Sequence, residues 1–363
     1  MRTPSEIPAL SALAKAAEPD HVAAELSLWR PFVRRFLGLF LGLLLAIAAL
    51  NFLVNPMGLY LPHLLPPVTW NMRAIKPELL RKADPKPQVL ILGSSRSMQI
   101  SPAEVQKLTG LPAFNAAVES AMAEDDYAML RYAVERAGIA PRLVILGVDV
   151  EAFHNRLPIE DQALEAEAFR GFLPGSGFSA WKKFYKLFVV QQTRLSLRSL
   201  RVRLTGRFPQ RFSFDGDGYL HYGDYERERA TGHYDLDTKI QRDVAQYVAR
   251  SAGYTAISPE RRKYLEELLQ YCQGRGIEVV IWVTPLGPRL LESLGPRGYS
   301  QREGEVVAML QDLGAKYGAA VYDFSSVEKF GGDPNGFWDG AHMTEPNNAR
   351  VARQMLRRTD AVQ

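Results

Sequence analysis

Short apolar runs alternate with helical patterns over most of this chain. Runs typical of buried strands occur at 88–92, 113–116, 143–146, 278–283 and 320–324. Amphipathic spacing and helix-boundary residues predict helices at about 102–108, 121–137, 259–273, 300–317 and 346–358. Strands that alternate with helices form parallel sheets with helices on both faces. The pattern therefore predicts a three-layer α/β/α fold around a parallel, flavodoxin-like sheet.

One stretch near the N-terminus is much more apolar than the rest. Residues 36–54 are nineteen residues without a charge. As a helix they would be about 28 Å long, close to the roughly 30 Å hydrocarbon core of a bilayer. We expect a transmembrane anchor there, and Arg30, Arg34 and Arg35 favour a cytosolic tail at 1–35. A cleaved signal peptide is the alternative, because Ala46-Ile47-Ala48 resembles a cleavage site.

Two further segments differ from the α/β pattern. Residues 55–87 contain seven prolines and predict an extended tether to an α/β domain at 88–363. The strand pattern is interrupted at about 155–255, where we expect a largely helical insertion. Within it, nine Lys or Arg and no acidic residue lie between Ala180 and Arg211, interleaved with aromatic and leucine residues. Such a segment can lie on anionic lipid, line a groove for an anionic chain, or be a solvated helical face.

Composition and charge exclude several classes of partner. The chain has 44 Lys or Arg against 40 Asp or Glu, and a net charge of +4 is too small to indicate nucleic acid. Cys272 is the single cysteine, so no internal disulfide forms, and its helical pattern favours a packing role. The turn at 215–218 lacks the further carboxylates and the terminal glutamate of a calcium loop. We expect no nucleic-acid partner, no metal and no cofactor.

A serine follows the first strand, at the edge where parallel sheets gather their ligands. The run Val89–Leu92 ends in Gly93-Ser94-Ser95-Arg96-Ser97. A serine hydroxyl needs a base to take its proton, and usually a carboxylate to orient that base. Among six histidines, His342 lies in a loop after the last strand with Asp339 three residues before it. The alternatives are a helix cap at Ser95 and a structural Asp–His hydrogen bond.

These motifs together resemble the SGNH (GDSL-type) hydrolase superfamily. The segments 93–97, Phe114-Asn115, 144–149 and 338–342 are similar to the membrane-anchored SGNH-like proteins of bacterial polysaccharide modification, akin to the alginate acetylation and D-alanylation proteins. The resemblance covers 88–358 apart from the insertion. It implies Ser95 as nucleophile, His342 as general base and then acid, and Asp339 as orienting carboxylate.

The chain departs from that family at the oxyanion hole. The resemblance implies three donors: the N–H of the nucleophile, a glycine N–H in the second motif and an asparagine amide in the third. Here the second motif has no glycine, and Asp149 stands in place of the asparagine. An ionised aspartate repels an oxyanion, and loss of one donor typically costs about 10²–10³ in rate. Asn115 and Arg96 are candidate replacements.

Other roles are open for residues around this site. Arg96 could instead pair with Asp149 or hold an acidic sugar. Ser94 and Trp338 complete the expected substrate-binding set, Trp338 either by packing or by stacking on a sugar ring.

The resemblance implies a membrane-tethered O-acyltransferase or esterase acting on ester groups, acetyl above all, of a cell-surface polysaccharide. We expect a single pass of the bacterial inner membrane with the C-terminal domain in the periplasm. A multi-spanning membrane acyltransferase is the protein partner that the family implies. The alternatives are a non-catalytic polysaccharide-binding or assembly protein with a degenerate SGNH fold, and a lipid or small-ester hydrolase held at the bilayer.

Overall fold

The described chain falls into two compact units. A computed structural model of the protein describes residues 19–56, 60, 71–176, 180–205 and 212–357. One unit combines the described parts of 1–70 and 179–207, and the other combines those of 71–178 and 208–363. The expected insertion at about 155–255 is therefore divided between the two units.

A five-stranded parallel sheet forms the centre of the larger unit. Its strands are β1 (Val89–Leu92), β2 (Ala113–Asn115), β3 (Leu143–Val148), β6 (Glu278–Val283) and β7 (Ala320–Asp323), in the order β2-β1-β3-β6-β7. Alternate residues of β1 enter two separate apolar clusters, Leu90 and Leu92 in one and Val89 and Ile91 in the other. Both faces of the strand are buried, which explains its uninterrupted apolar run. The predicted α/β class and the five strands are confirmed.

Helices follow the predicted alternation closely. Five of them match the sequence prediction within about two residues: α3 (Pro102–Thr109), α4 (Ala123–Glu135), α10 (Pro259–Gln273), α12 (Tyr299–Tyr317) and α13 (Glu345–Leu356). Ser101 and Ser258 cap α3 and α10, each hydroxyl accepting a hydrogen bond from a backbone N–H three residues on. The short α11 (Pro288–Leu294) was not predicted.

The interrupted region contains helices and one small hairpin. In the larger unit it contributes α5 (Asp161–Glu165), the antiparallel pair β4 (Ser213–Phe214) and β5 (Leu220–His221), α8 (Gly223–Ala230) and α9 (Leu236–Ser251). In the smaller unit it contributes α6 (Ala180–Lys186) and α7 (Val190–Thr205). Both α6 and α7 lie in the basic segment that the sequence singled out.

The apolar stretch lies within a longer helix than expected. Helix α1 runs from Pro19 to Val54, so residues 19–35 of the expected tail are helical, and residues 1–18 lie outside the described residues. Its part from Trp29 to Val54 is long and apolar enough to cross a membrane. The predicted apolar span is therefore present, with a helical extension before it.

The proline-rich segment is not an extended tether throughout. Helix α2 (Met72–Lys82) lies inside it and packs in the larger unit, with Met72 and Leu80 buried. Arg73, 1 % exposed, donates two hydrogen bonds to Asp125 of α4, at 2.6 and 2.9 Å. Buried Lys76 donates to the carbonyl oxygens of Asn115 and Gly218. Because a buried cation must be paired, these contacts fix α2 to the domain, which begins near Asn71 rather than at 88.

We predict that the Arg73–Asp125 ion pair is needed for stability. Arg73→Met should lower the free energy of unfolding by about 3–5 kcal/mol, because it leaves a buried carboxylate unpaired. Urea unfolding of the detergent-solubilised chain, followed by fluorescence, measures the change. Arg81→Met on the same helix is the matched control, since Arg81 and Glu78 are both about half exposed and a solvent-screened pair of this kind contributes little to stability. Equal losses in the two variants would contradict the prediction.

Candidate active site

Ser95 lies at the topological switch point of the sheet, where the strand order reverses. The chain leaves β1 for β2 on one side, whereas β3 lies on the other side of β1, so the carboxyl ends of β1 and β3 border a crevice. The turn after β1 starts at Gly93, whose φ is +124°. A Cβ at Gly93 would overlap the carbonyl oxygen of Gly147 on β3, so this turn requires glycine. The turn presents Ser95, which is half-buried, towards the loop that follows β7.

Three side chains predicted from the sequence meet in this crevice. The Oγ of Ser95 lies 2.9 Å from Nε2 of His342. On the other side of the ring, Nδ1 of His342 lies 2.9 and 2.8 Å from the two carboxylate oxygens of Asp339. Asp339 accepts at Nδ1, which leaves Nε2 unprotonated and able to accept the hydroxyl proton of Ser95. This is the nucleophile, base and carboxylate arrangement of an acyl-transfer triad.

The loop between β7 and α13 is folded tightly enough to hold the base and its carboxylate. Phe337 and Met343 form an antiparallel bridge, and the N–H of Trp338 donates to the carbonyl oxygen of His342 at 2.7 Å. Asp339 accepts from the N–H groups of Ala341 and His342, each at 2.9 Å. Asp339 and His342, three residues apart, are thus held together by an Asx-type turn.

Charge coupling shifts the pKa values of both partners. Burial alone would raise the pKa of Asp339, but the charge of His342 and the surrounding N–H donors hold it well below its usual range. Burial alone would lower the pKa of His342, but Asp339 and then Asp243 raise it above its usual 6.5. The imidazolium that forms when His342 takes a proton is therefore stabilised by the site.

The divided insertion supplies one wall of the cleft beside Ser95, which the sequence did not reveal. The cleft has a volume of about 360 Å³, and the insertion lines it with polar and aromatic side chains, among them Tyr222, Tyr225, Asp243, Tyr247 and Arg250. The hydroxyl of Tyr225 donates to Asp339 at 3.2 Å, and Asp243 accepts from the N–H of Gly340 at 2.8 Å. In the sequence, the helical spacing of Asp243, Tyr247 and Arg250 on one face of α9 was the signal that could have indicated this wall.

Arg96, the residue after Ser95, is buried and ion-paired. Its side chain is 2 % exposed, and its guanidinium donates to Glu151 at 3.1 Å and to Thr284 at 3.2 Å. Asp149 lies 3.7 Å away and accepts a 2.6 Å hydrogen bond from Thr284. Of the three roles considered for Arg96, the pairing with Asp149 is the one seen in the contacts, with Glu151 as an unforeseen second partner. Both Arg96 and Asp149 line a recess of about 30 Å³ beside Ser95.

Three expected substrate-binding residues line neither the cleft nor the small recess. Ser94 is buried, and its hydroxyl accepts from the N–H of Arg96. Asn115 is fully buried, and its amide donates to the carbonyl oxygens at 97 and 100, so it is not a free oxyanion donor. Trp338 packs against Tyr222, Tyr225 and Tyr234 and lies under Arg229. The expected substrate-binding roles of Ser94 and Asn115 are therefore corrected. Trp338 packs against the three tyrosines, which is one of its two expected roles.

We predict that replacing Arg96 mainly destabilises the fold. Arg96→Met leaves Glu151 buried without its cation, which should cost about 3–5 kcal/mol of unfolding free energy. Thermal and urea unfolding measure the loss. Arg250→Met is the control and should stay within about 1 kcal/mol, because its guanidinium donates to the hydroxyl of Ser120 rather than to a carboxylate. An Arg96→Met protein of unchanged stability and raised KM would instead support the sugar-binding role.

Comparisons with known proteins leave the family of this chain open. Within the described residues, no group of three or more His, Cys, Asp or Glu side chains is arranged to hold a metal ion. Any assignment of function must therefore come from the triad, the cleft and the motif resemblance. Neither the protein-family models nor the curated proteins contain a match to this sequence.

Proposed function

We propose that the chain is a membrane-tethered serine esterase or O-acyltransferase of SGNH type, with a three-layer α/β/α, flavodoxin-like domain. The observation that carries the proposal is the hydrogen-bonded series from Ser95 through His342 to Asp339, at the edge of an open cleft. The substrate class is an ester, acetyl above all, on a cell-surface polysaccharide. The domain faces the periplasm, and a multi-spanning acyltransferase supplies acyl groups across the inner membrane.

The reaction follows from the direction of the hydrogen bonds. Nε2 of His342 takes the proton of Ser95 while Oγ attacks the ester carbonyl carbon. Asp339 stabilises the imidazolium through Nδ1. When the tetrahedral intermediate collapses, the ester C–O bond breaks and the leaving sugar oxygen takes the proton from His342. The acyl-serine then passes its acyl group to water or to another hydroxyl, with His342 again acting as base and then acid.

The oxyanion requires donors that differ from those of the family pattern. Asp149 and Asn115 are both engaged in other hydrogen bonds, so the N–H of Ser95 is the donor retained from that pattern. Arg250 borders both the cleft and the small recess beside Ser95. We assign the second donor to Arg250, since a guanidinium next to a developing negative charge stabilises it more strongly than a neutral amide would.

The cleft lining favours a polar substrate over a long acyl chain. Tyr222 is buried beside His342, with the ring centroids 5.6 Å apart, and Arg242 and Gln246 lie along the same cleft. Aromatic faces with nearby polar groups suit a sugar ring better than an alkyl chain. One competing function is a polysaccharide-binding protein without turnover. Asp149 favours it, because the family pattern has at this position an asparagine that donates to the oxyanion, and an aspartate does not.

Covalent labelling separates these two functions. We predict that a fluorophosphonate labels the full-length protein at Ser95, and that Ser95→Ala abolishes both the labelling and the release of acetyl from an acetylated polysaccharide. Ser94→Ala should keep the label, because the hydroxyl of Ser94 is buried and hydrogen-bonded to the N–H of Arg96. If wild type and Ser95→Ala are equally unlabelled, the non-catalytic function is supported. Faster release from long-chain esters than from acetylated polysaccharide would instead support a lipid hydrolase.

The coupling of Asp339 to His342 predicts the pH dependence of Ser95 reactivity. His342 acts as a base only when neutral, and its pKa is raised, so fluorophosphonate reactivity should fall as the pH drops through a value above 6.5. Asp339→Asn removes the main charge that raises this pKa. We expect its acidic midpoint to move to lower pH and its rate above that midpoint to drop by up to about 10⁴. An unmoved midpoint would show that another group controls the profile.

A further inference from the structure

The basic helices of the insertion form a unit with the apolar helix. Asn51 lies in the last turn of α1 and is fully buried. Its amide donates to the carbonyl oxygen of Leu187 at 2.7 Å and to the hydroxyl of Thr193 at 2.9 Å, and it accepts from Ser196 at 2.8 Å. These bonds fix the start of α7 to the carboxyl-terminal end of the apolar span. If α1 crosses a bilayer, that end lies at the membrane surface.

Helix α7 has a buried face and an exposed face of different composition. The buried face carries Gln192, Ser196 and Ser199, small or polar side chains directed at α1. The exposed side carries one stripe in which apolar and basic side chains alternate at helical spacing, made of Val190, Arg194, Leu197, Arg201 and Leu204. Leu197 and Leu204 are 55 % and 86 % exposed, an unusual state for leucine beside other apolar side chains.

Helix α6, like α7, exposes apolar side chains in the basic segment. Trp181, Phe184 and Tyr185 are all more than half exposed. Tryptophan and tyrosine concentrate at the boundary between lipid headgroups and acyl chains, because each combines an apolar ring with a polar atom. Residues 180–205 contain seven Lys or Arg and no acidic residue.

We propose that α6 and α7 form a binding surface for anionic phospholipid headgroups, with their exposed leucines and aromatic rings in the interface. The charge is complementary to an anionic leaflet, and the surface is continuous with the candidate membrane span. A soluble anionic glycan would pair with the arginines but leave the exposed leucines in water. The lipid surface satisfies both, because long arginine side chains reach headgroups while neighbouring apolar groups enter the acyl boundary. This inference does not depend on the chemistry of Ser95.

The chain offers a specific labelling site for the test. Cys272 is fully buried, and burial raises the pKa of its thiol to about 12, so it should not react with a maleimide. Leu197→Cys can therefore carry one environment-sensitive fluorophore in the full-length protein. The labelled protein is reconstituted into vesicles of phosphatidylcholine alone, or of phosphatidylcholine and phosphatidylglycerol in equal parts. Blue shift of emission and protection from dithionite measure insertion of the label.

We expect the label to be protected in the anionic vesicles and accessible in the neutral ones. Each Arg→Gln change at 194, 198, 201 or 203 should weaken insertion by about fivefold, which corresponds to about 1 kcal/mol per basic residue. Arg262→Gln on α10 is the matched control, with the same loss of one charge at an exposed position, and should leave insertion unchanged. Equal accessibility in both vesicles overturns the proposal. So does protection in neutral vesicles only after a soluble polyuronate is added, which would assign the surface to a glycan.

Discussion

The buried guanidinium of Arg96 is the interaction on which the geometry of the site depends. Arg96 follows β1, Glu151 and Asp149 follow β3, and Thr284 follows β6, so one side chain joins the carboxyl ends of three strands. Ser95 directly precedes Arg96 in the chain, so the contacts that fix Arg96 also fix the backbone of Ser95 at the carboxyl end of β1. A buried cation with two carboxylates tolerates little movement, because any displacement leaves a charge unpaired in an apolar interior. The serine is consequently held by the ion pairing of Arg96 in addition to its own hydrogen bond to His342.

The insertion has two different uses in the two units. Its second half, residues 212–251, supplies the aromatic and basic wall of the cleft and the tyrosine that supports Asp339. Its first half, residues 180–205, packs on the apolar helix through Asn51. One continuous departure from the α/β pattern therefore contributes both to the proposed substrate site and to the proposed membrane surface.

Much of this molecule could be predicted because the deciding forces are local. The apolar runs at 89–92 and 143–146 need burial on both faces, which only the middle of a covered parallel sheet provides. Asp339 and His342 lie within one tight turn, so their contact follows from a spacing of three residues. The helix predicted near 102–108 begins with a serine cap and a first-turn proline, which are both local features. The apolar span needed only its length and lack of charge.

Long-range pairing decided what the sequence left open. The sequence by itself determined the strands, most helices, the apolar span and the candidate triad, since periodicity, caps and chain order are readable without a partner. Only the tertiary structure decided that Arg96 pairs with Glu151, that Asn115 is an internal tie, and that α2 belongs to the domain through Asp125. These contacts join residues 15 to 55 positions apart, and the identity of a buried partner depends on which chain segments pack together. Charge and hydrogen-bonding capacity are sequence properties, whereas their satisfaction is a property of the fold.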